Sequence, residues 1–297
     1  MDLQHLLHKY FYSVKIKLKL LKKGNLTMNN KRIGLIGCGA MGSALGKGFV
    51  QKVGIDPSLI YLYDINKERM QALADELNAQ TTENLSELVP HCQHIFLAVK
   101  PQDLESVLYS VKDMFNQQQI FTSIAAGITI DYIESCLSYE SKVVRLMPNT
   151  PCLIGKGTIA ISVGENVTSD EQEEVEALLK PLGLTIRLPE YLMDAATGLS
   201  GTGPAYVFLF IETMIDAGVS VGIRRDVASE MVIQNIIGSA LMLRENDKHP
   251  AELRNIVTSP SGTTATALQV LEESGFRHCL LKSVIEATKR AKELRSV

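Results

Sequence analysis

From Lys31 onward, short apolar runs alternate with segments of helical periodicity. The runs at Arg32–Ile36, Ile60–Tyr63, Ile95–Val99, Ile120–Ile124 and Val143–Leu146 predict strands. Between them lie a Gly-rich turn with a helix to about Val53, helices at Lys67–Asn78 and Asp103–Phe115, and a short helix at Ile130–Leu137. Strands that alternate with helices predict parallel β-α-β units, because a parallel return needs a crossover. Two further β-rich runs follow, Thr158–Val163 and Leu184–Leu188, separated by an acidic helix at Ser169–Leu179. Ser169 and Gln172 have the spacing of a capping box for that helix.

After Pro189 no strand pattern remains. Helices are predicted at Glu190–Thr197, Pro204–Val221, Asp226–Leu243, Pro250–Val257, Thr264–Glu273 and Phe276–Leu294. Pro204, Pro250 and Pro260 stand at or near helix starts, where a missing N–H costs nothing. Pro204–Val221 carries only Glu212 and Asp216 as charges, and Asp226–Leu243 only Asp226 and Glu230. Helices that are apolar almost all round must be buried. About 100 residues are too few to bury both, so a core-like helical dimer interface is expected. The expected organisation is an N-terminal extension over 1–28, an α/β unit over 29–189 and an all-α unit over 190–297.

Composition narrows the function. The chain has 297 residues, 45% of them hydrophobic, and a net charge of −3. That balance carries no footprint for nucleic acid. No run approaches the ~20 apolar residues of a membrane span. Five scattered cysteines form no C-x-x-C pair, which suits reduced thiols in the cytoplasm. Residues 1–27 are rich in Lys and His, with Asp2 their only acid. They read as a surface or targeting segment, or as an over-extended reading frame with Met28 as the true start. The second reading is preferred, since the segment lacks Arg and a cleavage-like site.

Gly37-Cys38-Gly39-Ala40-Met41-Gly42 is a G-x-G-x-x-G run between a strand and a helix, the context a Rossmann dinucleotide site requires. Gly37 is expected to make the tight turn, Gly39 to admit the pyrophosphate, and Gly42 to let helix and strand pack. Asp64, at the end of the second strand, is placed to hold a ribose hydroxyl; Asn66, Lys67 and Arg69 offer a 2′-phosphate site instead. NADH and NADPH therefore both remain open. Ala98-Val99-Lys100-Pro101 and Ala125-Ala126 end the third and fourth strands, where ligands of such sheets lie. Met147-Pro148-Asn149-Thr150 is expected to line the nicotinamide pocket. His91-Cys92-x-His94 precedes a buried strand without further ligands, so no metal is expected.

Val257-Thr258-Ser259-Pro260-Ser261-Gly262-Thr263-Thr264-Ala265 is the most informative stretch. Four hydroxyl residues, a proline and a glycine precede a helix, and a helix start is a ready anion site. The alternative reading is that these residues only cap the helix. Between Tyr191 and Asp247 there is no Lys and no His. With the dinucleotide fingerprint, this suggests a redox enzyme whose substrate is a small carboxylate handled by hydroxyls and amides, without need of His or Lys.

The chain resembles pyrroline-5-carboxylate reductase over about Lys31 to Leu294. The resemblance rests on Ile36-Gly37-x-Gly39-x-Met41, Ala98-Val99-Lys100-Pro101-Gln102 and Arg145-x-Met147-Pro148-Asn149-Thr150-Pro151. It continues in Leu199-Ser200-Gly201-x-Gly203-Pro204-Ala205-Tyr206, the Thr258–Thr264 segment and Leu271-Glu272-x-x-Gly275-Phe276-Arg277. It implies a Rossmann domain, a helical domain that interlocks in a homodimer, and dimers that assemble further. It also implies NAD(P)H-dependent reduction of 1-pyrroline-5-carboxylate to L-proline. The cofactor set is then Ile36, Gly37, Gly39, Ala40, Met41, Gly42, Asp64, Asn84, Ala98, Val99, Lys100, Pro101, Ala125, Ala126 and Asn149. The backbone N–H groups of Gly262, Thr263 and Thr264, with the Ser259 hydroxyl, are expected to hold the substrate carboxylate. By resemblance, Thr264 meets the ring nitrogen as the catalytic residue. Two positions depart from the family: Ser261 stands at a glycine and Thr202 at a smaller residue. The competing readings are a β-hydroxyacid dehydrogenase, which needs a Lys early in the helical unit, and a dinucleotide-binding regulator without turnover.

Overall fold

A computed structural model describes residues 31–294 of the chain. The expectation about residues 1–27 lies outside them. An eight-stranded sheet has the order β3-β2-β1-β4-β5-β6-β7-β8. Its strands are β1 (Ile33–Ile36), β2 (Ile60–Tyr63), β3 (Gln80–Thr81), β4 (His94–Leu97), β5 (Ile120–Ser123), β6 (Lys142–Met147), β7 (Gly157–Val163) and β8 (Gly183–Arg187). All neighbours are parallel except β6 and β7. Only nine residues separate Met147 from Gly157, fewer than the dozen or so that a parallel crossover needs, so the chain turns straight back. β1, β4 and β5 are buried along their whole length, as strands covered on both faces must be. Ile33, Leu35 and Phe96 join the core on one face of the sheet; Ile36, Ile95, Leu97 and Phe121 join the core on the other.

The Rossmann helices are α1 (Ala40–Lys47), α2 (Lys67–Leu77), α3 (Leu85–Leu88), α4 (Pro101–Val111), α5 (Ile130–Cys136) and α6 (Ser169–Leu179). α1 runs on as a π-helical segment to Val53 and stops at Gly54, whose φ of 82° is left-handed. The capping box of α6 is Thr168 with Glu171, one residue before the expected pair. Glu171 accepts the Thr168 N–H through a carboxylate, and Gln172 turns instead to Glu176, one turn on.

The C-terminal helices are α7 (Met193–Ala196), α8 (Gly203–Ser220), α9 (Arg225–Glu245), α10 (Pro250–Ile256), α11 (Thr263–Glu273) and α12 (Phe276–Leu294). The fold is thus a Rossmann sheet followed by an all-α domain, as the sequence pattern predicts. α8 has no residue buried within its own chain, and α9 has only Ala228 and Val232. Phe208 and Leu209 are 62% and 64% exposed, far more than a core allows. These apolar surfaces are what a dimer interface has to cover.

Arg145 joins the two domains. It is fully buried on β6, with Nη1 3.2 Å from Glu190 Oε1 and Nη2 3.4 Å from Asp194 Oδ1. The same Glu190 oxygen accepts the Ile130 N–H at 2.7 Å, tying the start of α5 to this junction.

Candidate active site

The glycine loop begins where β1 ends. Gly37 has φ +102°, and a Cβ there would lie 2.6 Å from the Ala98 carbonyl oxygen. Its N–H donates to the Tyr63 carbonyl at 2.8 Å. A Cβ on Gly42 would sit 2.0 Å from the Gly37 carbonyl oxygen, so the first turn of α1 lies directly on the loop. At Gly39 a Cβ would meet nothing within 4 Å. The N-cap of α1 is Gly39 itself, with no side-chain cap and no acid in the first turn. An open, uncapped helix start fits a pyrophosphate through the N–H groups of Ala40, Met41 and Gly42. Ala98, Val99 and Lys100 follow β4 beside this loop, and Ala125 and Ala126 follow β5.

Asp64 is turned inward. Its Oδ2 accepts the Cys38 N–H and its Oδ1 the Asn66 N–H, both at 2.7 Å. The carboxylate thus braces the glycine loop from β2. Asn66 caps α2 by accepting the Arg69 N–H at 2.9 Å, and Lys67 pairs with Glu83. Arg69 is half exposed, with Nη1 3.8 Å from Asp64 Oδ2. Cys38 is buried in the loop, and burial first, then the Asp64 charge, push its thiol up to about 12. It is a packed side chain without thiolate character. Asn84 caps α3, where its Oδ1 accepts the Glu87 N–H at 3.0 Å. Lys100 is the exposed N-cap residue of α4, ahead of Pro101.

Asn149 follows the end of β6 and spans two domains. Its Oδ1 accepts the Thr158 N–H at 2.9 Å, while its Nδ2 faces the Ser200 carbonyl at 3.2 Å. The side-chain amide is therefore committed to protein partners, and the Asn149 carbonyl accepts the Cys152 N–H at 3.0 Å. Ser200 lies in a π-helical turn, Thr197–Gly201, between α7 and α8. That turn falls where the sequence pattern predicts an ordinary helix to Thr197 and a short break. Periodicity missed it; the Gly198-x-x-Gly201-x-Gly203 spacing between two helices was the available signal.

The hydroxyl segment forms a tight turn. Gly262 N–H donates to the Ser259 carbonyl at 3.1 Å, with Pro260 second and Ser261 third at φ +57°. That is the arrangement of a type II turn, which needs a left-handed third residue. A Cβ on Gly262 would lie 2.3 Å from the Ser259 hydroxyl oxygen, so the glycine makes room for that hydroxyl. The Gly262 N–H is used by the turn, a correction to its expected place among the carboxylate donors. Gly262 is the N-cap of α11 and no side chain caps it, so the reading of these hydroxyls as mere caps fails. The N–H groups of Thr263 and Thr264 head the helix with no acceptor among the described residues, and Thr264 is half-buried beside them. No hydrogen bond among the described residues joins 258–264 to the carboxyl edge of the sheet.

His91 and His94 go separate ways. His91 Nδ1 lies 2.8 Å from the Glu87 carbonyl oxygen, and the buried His94 Nε2 lies 3.6 Å from Glu174 Oε2. Among the described residues no three His, Cys, Asp or Glu side chains gather as a metal site. No described helix is long and apolar enough to cross a membrane.

An open glycine loop over an uncapped helix, at the carboxyl edge of a parallel sheet, has the form of a Rossmann dinucleotide-binding domain. Residues 32–127 match the family described as "NADP oxidoreductase coenzyme F420-dependent", and residues 190–294 match "Pyrroline-5-carboxylate reductase dimerisation". The pyrroline-5-carboxylate reductase of Methanosarcina acetivorans is 37% identical over 267 residues, spanning 90% of this chain and 99% of that one. That of Escherichia coli is 35% identical over 264 residues, spanning 89% and 98%. The crystal structure of Plasmodium falciparum pyrroline carboxylate reductase with NADP bound superposes with a TM-score of 0.83 at 34% identity, covering 90% of this chain and 99% of that one. The chain belongs to the pyrroline-5-carboxylate reductase family.

Proposed function

We propose that this chain reduces 1-pyrroline-5-carboxylate to L-proline with NADPH, in the cytoplasm, as a homodimer or an assembly of dimers. The observation that carries the reading is the uncapped start of α11. Thr263 and Thr264 offer two N–H groups to a carboxylate, and the Ser259 hydroxyl is held beside them by the turn. The reduced dinucleotide supplies the hydride that adds to the C=N carbon. The substrate enters as the protonated imine, whose N–H donates to the Thr264 hydroxyl oxygen and is oriented by it. On hydride addition to carbon the C=N π pair becomes the amine lone pair, so no further proton is needed. A protonated imine needs no strong acid, in keeping with the stretch from Tyr191 to Asp247 that has no Lys or His.

Ala40, Met41 and Gly42 hold the pyrophosphate through backbone N–H groups. Asp64 keeps the loop in shape, and Arg69 receives the 2′-phosphate. The backbone of Ile36, Ala98, Val99, Ala125, Ala126 and Asn149 lines the remainder of the dinucleotide, with Lys100 and Pro101 at its rim and the Asn84 cap near the adenine end. The two long apolar helices support a second copy that brings its α11 to the dinucleotide edge. The domain boundary falls near Pro189, just before Glu190 reaches back to Arg145.

The test is NADPH oxidation on adding 1-pyrroline-5-carboxylate, with Thr264→Ala in parallel. Wild type turns over, and the variant loses at least about tenfold in kcat/KM, roughly 1.4 kcal/mol, with its fold unchanged. No turnover by wild type with either NADPH or NADH refutes the reaction; an unaffected variant refutes the role of Thr264.

A further inference from the structure

The turn at Thr197–Gly201 is held from three sides. Its π register is set by the Thr202 N–H, which donates five residues back to the Thr197 carbonyl at 2.9 Å. The shifted register is locked by hydroxyls from the start of α8 and the residue before it. Thr202 Oγ1 donates to the Gly198 carbonyl at 2.7 Å, the Tyr206 hydroxyl lies 2.9 Å from Thr202 Oγ1, and it reaches the same carbonyl at 3.3 Å. Behind the turn stands α12. A Cβ on Gly198 would lie 2.3 Å from Thr288 Oγ1 and 2.8 Å from the Thr288 nitrogen. In front stands the Rossmann domain, where Asn149 Nδ2 faces both the carbonyl and the hydroxyl of Ser200, at 3.2 and 3.4 Å. A Cβ on Gly201 would lie 3.4 Å from the Met147 sulfur, at the end of β6.

π-turns are uncommon and recur at functional sites, because one extra residue re-aims the backbone. This one is wedged against the carboxyl end of β6, the edge where ligands of such sheets bind. We propose that Asn149, Thr202 and Tyr206 are positioning residues that clamp this turn as a fixed wall of the hydride-transfer site. Tyr206, whose hydroxyl is spent on Thr202 and Gly198, is thereby a strut and not the proton donor. Thr202, larger than the family's usual residue there, supplies the oxygen that links Tyr206 to the turn. Asn149 does its part through Ser200, registering the helical domain on the sheet. The inference rests on the reaction proposed above.

The experiment uses the full chain with Tyr206→Phe, Asn149→Asp and the double variant. Asn149→Asp keeps an oxygen for the Thr158 N–H and loses the donor to Ser200. Each single variant is expected to lower kcat about three- to tenfold, the range for one lost hydrogen bond, and Tyr206→Phe to leave NADPH affinity unchanged. Because both residues hold one turn, the double variant loses less than the product of the two. Amide exchange of the peptide over 197–203 is faster in every variant, while exchange in α9 is unchanged. Unchanged exchange over 197–203 overturns the clamp. Faster exchange with unaltered kcat, or losses that simply multiply, overturns the positioning role. A wild type inactive on pyrroline-5-carboxylate, with exchange still accelerated in the variants, supports the clamp and refutes only the reaction.

Discussion

Ser261→Gly is expected to stabilise the protein. Ser261 is one of two non-glycine residues with positive φ among the described residues, at +57°, and it sits third in a turn that favours glycine there. Holding an L-residue left-handed costs roughly 1–2 kcal/mol. Glycine removes that strain and loses roughly 0.5–1 kcal/mol through the greater freedom of its unfolded chain. The difference leaves a gain of about 0.5–1 kcal/mol. In a chain of this size that raises Tm by about 1–3 °C. The same gain acts on local opening, because the turn opens without the rest of the fold. Exchange of the Gly262 amide, bonded to the Ser259 carbonyl, is expected to slow by about two- to fivefold, the equivalent of that gain. Ser261→Val provides the opposite sign, since a branched Cβ at positive φ adds strain. KM for 1-pyrroline-5-carboxylate falls modestly in the glycine variant, as the turn is set before binding. Differential scanning calorimetry and exchange mass spectrometry read both effects. A glycine variant that melts lower, or whose Gly262 amide exchanges faster, would refute the strain argument.

Gly39→Ala and Gly42→Ala separate binding from folding. The first places its Cβ in open space and keeps its Tm while NADPH affinity falls at least about tenfold, since the methyl stands where the pyrophosphate approaches; the second forces a Cβ to 2.0 Å from the Gly37 carbonyl oxygen and is expected to lose about 3 kcal/mol or more of stability. Calorimetric titration and thermal melts distinguish the two patterns, and an equal loss of stability in both would contradict the assignment. Arg69→Ala raises KM for NADPH about five- to tenfold and leaves KM for NADH within about twofold, as expected for a half-exposed charged hydrogen bond; a parallel rise for both cofactors removes Arg69 from the 2′-phosphate. Glu174 is held at about 2, below its ordinary 4.5, first by His94 and then by Lys31, so its stabilisation is present above pH ~4.5 and lost as pH falls toward 2. Acid titration followed by circular dichroism is expected to show a shallower fall for Glu174→Gln over that window, and identical slopes would contradict the pairing.

The Rossmann half was legible because its constraints are local. Gly37 and Gly42 each answer a separate backbone demand, Gly39 leaves open space above the loop, and the apolar runs follow from strands buried on both faces. The reversal between β6 and β7 was legible in principle, from a link too short for a crossover, but residue periodicity carries no direction. β3 has only two residues, too few for any pattern. The α6 cap slipped by one position because Thr168 and Ser169 both stand three residues before a Glu or Gln, and only the backbone decides between them. Long-range partners were not legible at all. Arg145 reads as part of a motif, yet its meaning lies in Glu190 and Asp194, more than forty residues on. Asp64 had the right place for a ribose contact and turned out to face its own loop. The hydroxyl segment was the reverse case. It was visible as a helix start, and the structure added the turn that explains why Pro260 and Gly262 flank a left-handed residue.

The two long helices of the C-terminal domain carry a thermodynamic consequence. α8 finds no core within its own chain, and most of α9 finds none either. Much of the apolar area that would hold this domain together is therefore left uncovered within the single chain. In the homodimer proposed above, folding includes a bimolecular step and mass action enters the stability: the melting temperature is expected to rise with protein concentration, and dilution to act as a denaturant.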